Sequence, residues 1–155
     1  MFDLADLDLA EKAETPFEFE LEHPETKDGL GVFVSVIGSE SRTFLDYVRQ
    51  EGNRARKRAF EAQRKGKAEE PMSVEDEESA ILNAVAVCVV KWRTGNDPWL
   101  LWSGEKLECT RDNVVKVLRS FRWMRDQINA ATGDVGNFLH ATSKPSSPLP
   151  ETSSN

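Results

Sequence analysis

Little in this chain of 155 residues belongs to the usual apparatus of chemistry or export. It has two cysteines, Cys88 and Cys109, in no C-x-x-C pair and beside no histidine at ligand spacing. That spacing excludes a zinc-ribbon pattern and a disulfide framework, and it fits a reducing compartment. The two histidines, His23 before Pro24 and His140 near the C-terminal end, fall in segments that read as exposed, and neither joins a triad. Cys88 sits in an apolar run, as a small core residue does, and Cys109 has no activating neighbour. The glycines of "GLG" and "GDVG" do not form a phosphate-cradling loop. No catalytic, cofactor-binding or metal-binding residue is therefore assigned, and no enzyme is expected.

Long apolar runs are missing as well. Ala80–Leu82 and Ala84–Val90, parted by Asn83, fall well short of the roughly 20 residues of a membrane span. The opening "MFDLADLDLAEKAE" carries acids where a secretory signal carries bases. No membrane association and a cytoplasmic location are expected. The net charge of −7 disfavours general attraction to nucleic acid or anionic lipid.

What is present suits one small domain. Residues 1–14 place Phe2, Leu4, Leu7 and Leu9 between Asp3, Asp6 and Asp8, as a docking segment or a frayed helix would. Residues 15–141 read as a single, mainly α domain with a β-hairpin at 17–37, an α+β fold of three to four helices. The hairpin rests on the alternation of Phe17, Phe19 and Leu21 with glutamates, the break from Pro24 to Gly31, and the renewed alternation through Val32, Val34 and Val36. Ser39 or Ser41 caps a basic helix over about 40–64, which Gly52 and Asn53 are expected to break or bend. After the linker "KGKAEEPM", Ser73 and the acids that follow start a central helix. Its apolar run to Val90 predicts burial on most sides, with a strand as the alternative because the valines are β-branched.

The glycines and Pro98 of "WRTGNDPWLLWSGEKLECT" predict a loop, unusually rich in aromatics. Thr110 or Asp112 then starts a helix whose Val114, Val117, Leu118, Phe121 and Ile128 share one face, ending near Gly133. "DVGNFLHA" adds a further turn. The Ser- and Pro-rich residues 142–155 are expected to be disordered.

Two surfaces stand out. Arg42 to Lys67 carries nine basic against three acidic side chains and could track a phosphate backbone. Interleaved acids and the acidic block after it favour neutralisation within the chain, or against the acidic N-terminus of another copy. The second is the aromatic and apolar set Trp99, Leu101, Trp102, Trp123, Phe138 and Leu139, the candidate partner-binding residues, because tryptophan buries large area at interfaces. Phe138 and Leu139 either fold back on the core beside Trp92 or Trp99, or dock on a neighbouring subunit.

The stretches "LEHPETKDGLGVFVSVIGSES" (21–41), "PWLLWSGEKLECTRDNVVKVLRSFRWMRDQI" (98–128) and "NFL" (137–139) resemble the tail assembly chaperones of long-tailed bacteriophages and their prophages. Where that family often carries a Tyr-Pro pair, this chain reads Phe121, Arg122, Trp123. The resemblance implies a mainly helical, self-associating protein of the infected bacterial cytoplasm, absent from the finished virion. It would coat the tape measure protein and help recruit tail tube subunits. A structural head–tail or tail adaptor is the alternative, followed by a nucleic-acid-binding regulator using residues 42–67.

Overall fold

The computed structural model describes residues 1–67 and 71–142, with side chains as far as Leu139. The fold is α+β, mainly helical, with the hairpin near its N-terminus. A 3-10 turn at Leu4–Leu7 leads into a short helix, α1 (Leu9–Lys12). Strands β1 (Phe17–Glu22) and β2 (Gly29–Val36) form the expected hairpin. Its turn is held by His23, whose Nδ1 accepts from the backbone N–H groups of Glu25 and Thr26 at 3.1 and 3.2 Å.

Ser41 caps α2 (Arg42–Arg64), its hydroxyl oxygen accepting from Phe44 N–H at 3.2 Å. The helix runs unbroken through Gly52 and Asn53, correcting the expected break. Two residues of low propensity cost only about 1–2 kcal/mol together, too little to interrupt a helix supported on both sides by good formers and i,i+3 ion pairs such as Arg54–Glu51 at 2.7 Å.

Ser73 caps α3 (Val74–Cys88). From Leu82 to Cys88 every residue is buried or half-buried, as the apolar run predicts, whereas Val74–Glu78, Ala80 and Ile81 are exposed. The helix does not reach Val90. The chain changes over at Val89 into strand β3 (Val89–Thr94), which pairs antiparallel with β2 and completes a sheet of order β1-β2-β3. Both readings of the apolar run were thus half right. β2 needs a partner on its second edge, and the β-branched Val89 and Val90 suit a strand better than a helix end.

The expected aromatic loop is instead the rest of β3 and a second hairpin, β4 (Trp99–Trp102) and β5 (Glu105–Glu108). Its two-residue turn, Ser103-Gly104, has φ of 52° and 83°, the left-handed pair that joins twisted strands most tightly. The predicted last helix is two helices, α4 (Arg111–Ser120) and α5 (Arg122–Gly133), parted at Phe121, whose φ of −123° and ψ of 87° leave the helical region. Thr110 caps α4 through Asn113 N–H. A last helix, α6 (Val135–Thr142), contains the "GNFL" stretch. Six α-helices therefore stand among the described residues, not three to four. The expected disordered tail lies outside the described residues, apart from Thr142.

Rows of paired residues run across the sheet. Phe19, Val34 and Trp92 lie on the face toward α3 and α5, where Val34 and Trp92 are buried. On the other face Arg93 stacks 4.0 Å over Phe33 and grips Glu18 with two bonds of 2.9 and 3.0 Å. Trp92 Nε1 donates to the carbonyl oxygen of Leu107 at 2.9 Å, tying the sheet to the second hairpin.

Candidate functional site

The sheet, the second hairpin and the α4–α5 break meet around an open apolar groove of about 310 Å³. Leu21, Leu30 and Val32 of the first hairpin form one wall. Leu100, Leu101, Trp102 and Leu107 of the second hairpin form another. Val117, Phe121, Trp123 and Met124, where α4 gives way to α5, close the third side. Thr94 is the single residue of the lining that is not apolar or aromatic, and none is ionisable.

Local rules explain why the groove is open. Breaking the helix at Phe121 turns that ring out of the α4 stripe and against its neighbours. Trp102 meets Phe121 edge-on at 5.0 Å, and Phe121 meets Trp123 edge-on at 6.5 Å. Such pairs contribute about 0.5–1.5 kcal/mol beyond the area they bury, enough to hold a rim of three rings in place. The Ser103-Gly104 turn sets β4 so that Leu100 is buried in the floor while Leu101, its neighbour, is 62% exposed at the rim. Lys116 Nζ stands 5.3 Å over the Trp102 ring, placing a cation beside the apolar opening.

Of the six residues singled out for partner binding, Leu101, Trp102 and Trp123 come together here. Trp99 does not. It is half-buried outside the lining, its carbonyl oxygen accepting from Thr94 Oγ1 at 2.8 Å and its ring lying under Lys106 Nζ at 4.5 Å. Phe138 is 2% exposed and belongs to the core. Its ring packs edge-on against Phe17 at 6.2 Å and lies against Gly38, so it closes the opposite corner of the domain rather than a site beside Trp99. Leu139, next on α6, is half-buried.

Leu30 and Phe121 line the groove although neither was singled out. Phe121 fell on the apolar stripe of one continuous predicted helix and so carried no signal of the break. Leu30, isolated between Gly29 and Gly31, carried none.

Among the described residues no group of three or more histidine, cysteine, aspartate or glutamate side chains is placed to hold a metal ion. Burial pushes the Cys88 thiol up to about 12 and the Cys109 thiol up to about 11, so both are protonated at neutral pH and neither is a ready nucleophile. No helix among the described residues is long and apolar enough to cross a membrane. The groove therefore offers area, shape and a cationic margin, the properties of a binding surface. No family model, curated protein or solved structure matches the chain.

Proposed function

We propose that the protein is a tail assembly chaperone of a long-tailed bacteriophage or prophage, acting without catalysis in the host bacterial cytoplasm. Its groove would hold apolar helical segments of the tape measure protein until tail tube subunits enclose them. One observation carries this reading: an open groove lined by apolar and aromatic residues and rimmed by Leu101, Trp102 and Trp123.

The physics of such a task favours this arrangement. A long helical chain with exposed apolar faces aggregates unless those faces are covered. An apolar helix face presents side chains at i, i+3, i+4 and i+7, and a groove between a hairpin and two helices accepts such a row. With a volume of ≈ 310 Å³ the groove lies at the small end of the roughly 300–1,000 Å³ typical of enclosed ligand sites, so it grips a few side chains at a time. Shallow contacts of that kind release readily, as displacement by tube subunits requires. The net charge of −7 would keep a loaded complex in solution.

Co-expression with the tape measure protein tests the proposal. The wild type is expected to move that protein from the pellet to the soluble fraction, and Leu101→Asp to abolish the effect. A tape measure protein that stays aggregated beside folded wild type refutes the chaperone reading. Finding the chain in purified virions by mass spectrometry would replace it with the adaptor alternative.

A further inference from the structure

Two exposed features lie away from the groove, and each carries the charge that the other lacks. The first is the far part of α2. Although α2 is 23 residues long, about 34 Å, it contains no buried residue. From Asn53 to Phe60 every residue is exposed, and the Phe60 ring is 64% exposed. Ala55, Ala59 and Ala62 recur at the four- and three-residue spacing of one helix face, which Arg56 and Arg58 flank, and Phe60 lies farther round beyond Arg56. Between Asn53 and Lys67 stand seven basic side chains and one acidic. The second feature is Met1–Asp8. All eight residues are exposed, Phe2 at 65% and Leu4 at 81%, and Asp3, Asp6 and Asp8 are the only charged side chains.

Both surfaces combine bare apolar groups with charge, and the charges are opposite. Within one chain they do not cover each other, since Phe2, Leu4 and Phe60 are all exposed together. Pairing α2 with α2 of another molecule would set basic against basic. We propose that the acidic segment Met1–Asp8 of one molecule lies on the basic face of α2, Asn53 to Arg64, of a second copy. Phe2 and Leu4 would then lie against Ala55 and Ala59, while the aspartates face Arg56 and Arg58 on either side of that row. The two surfaces differ, so each copy offers one of each, and copies can be joined head to tail in series. The inference uses no residue of the groove.

Sedimentation velocity on the full chain tests it. Self-association is expected at about 50 mM salt, with the apparent Kd rising about tenfold or more by about 500 mM as the charges are screened. Two charge-reversed variants sharpen the test: Arg56→Glu with Lys57→Glu and Arg58→Glu, and Asp3→Lys with Asp6→Lys and Asp8→Lys. Each alone should be monomeric with an unchanged melting temperature. Mixed in equal amounts they should associate again, because the acidic arm of one now meets the basic segment of the other. A wild type that stays monomeric at low salt overturns the proposal. So does association that survives either reversal, or a mixture of folded variants that does not recover. Retention of a short DNA duplex by the wild type at physiological salt would assign the basic part of α2 to nucleic acid instead. Solubilisation of the tape measure protein by either variant is read separately, so this inference and the chaperone reading fail independently.

Discussion

Two aromatic clusters at opposite corners of the domain reach opposite ends. At one corner Phe138 of α6 meets Phe17 of β1 and is shut in, with Gly38 and Ala13 against it. At the other, Trp102, Phe121 and Trp123 pack edge to edge and leave an open groove beneath them. The difference lies in what surrounds the rings. Beside Phe138 stand Gly38 and Ala13, and a Cβ built on Gly38 would come within 2.9 Å of the Ala13 Cβ and 3.0 Å of the Phe138 ring. Close approach without a side chain in between is what lets that corner seal. Around Trp102 the neighbours are large, and rings that brace one another cannot also collapse into the space they border.

The comparison can be broken most strongly at the closed corner. Phe138→Ala should remove about 3–5 kcal/mol of stability, the cost of emptying a packed aromatic site, read as a fall in denaturant midpoint. Gly38→Ala should cost less, about 1–3 kcal/mol, by overpacking the same contact. Combining it with Phe138→Leu should then cost less than the sum of the two changes, because the smaller side chain makes room. At the open corner the expected pattern inverts. Leu101→Asp should leave the denaturant midpoint within about 0.5 kcal/mol of wild type, as exposed substitutions do, while abolishing solubilisation of the tape measure protein. A Leu101→Asp variant that unfolds would make the groove part of the core.

The smallest effect concerns pH and lies between the corners, on the outer sheet face. The two hydrogen bonds from the Arg93 guanidinium hold the Glu18 carboxyl below its ordinary value, outweighing the opposing effect of burial. Because the folded value is the lower one, the stabilisation is complete above the ordinary carboxylate range and is lost as pH falls through the folded value. Glu18→Gln should therefore flatten the acid side of the stability profile slightly and leave the neutral side without a new pH dependence. Urea melts at several acidic pH values would show it. An unchanged acid side would mean that the pair is too exposed to matter.

Much of the fold was legible because it rests on local rules. Alternation marked β1 and β2, Ser73 was legible as a helix start, and Ser41 and Thr110 were each one of two candidates, because one side-chain oxygen next to a helical pattern is a short-range signal. The second hairpin was missed although "WLLW-SG-EKLE" carries a two-residue turn, because Leu100 and Leu101 side by side hide the alternation. The change from helix to strand at Val89 was hidden for a different reason. An apolar run reads alike in both states, and its outcome depended on β2, more than fifty residues away, needing a neighbour. The candidate site shared that limit. Leu101, Trp102 and Trp123 were legible as large side chains, but their meeting with Leu30 and Phe121 was not.

The residue pattern alone determined the mixed α and β composition, the first hairpin, the starts of α2, α3 and α4, the strong separation of acidic and basic segments, and the surplus of aromatic residues. These follow from periodicity, capping and charge, which act over a few residues. The tertiary structure decided where the aromatics go: Phe138 into a sealed corner, Trp99 under a lysine, and Trp102 and Trp123 onto the rim of a groove. That allocation depends on which side chains from distant segments compete for the same volume, and close packing settles such a competition only once all of them are in place.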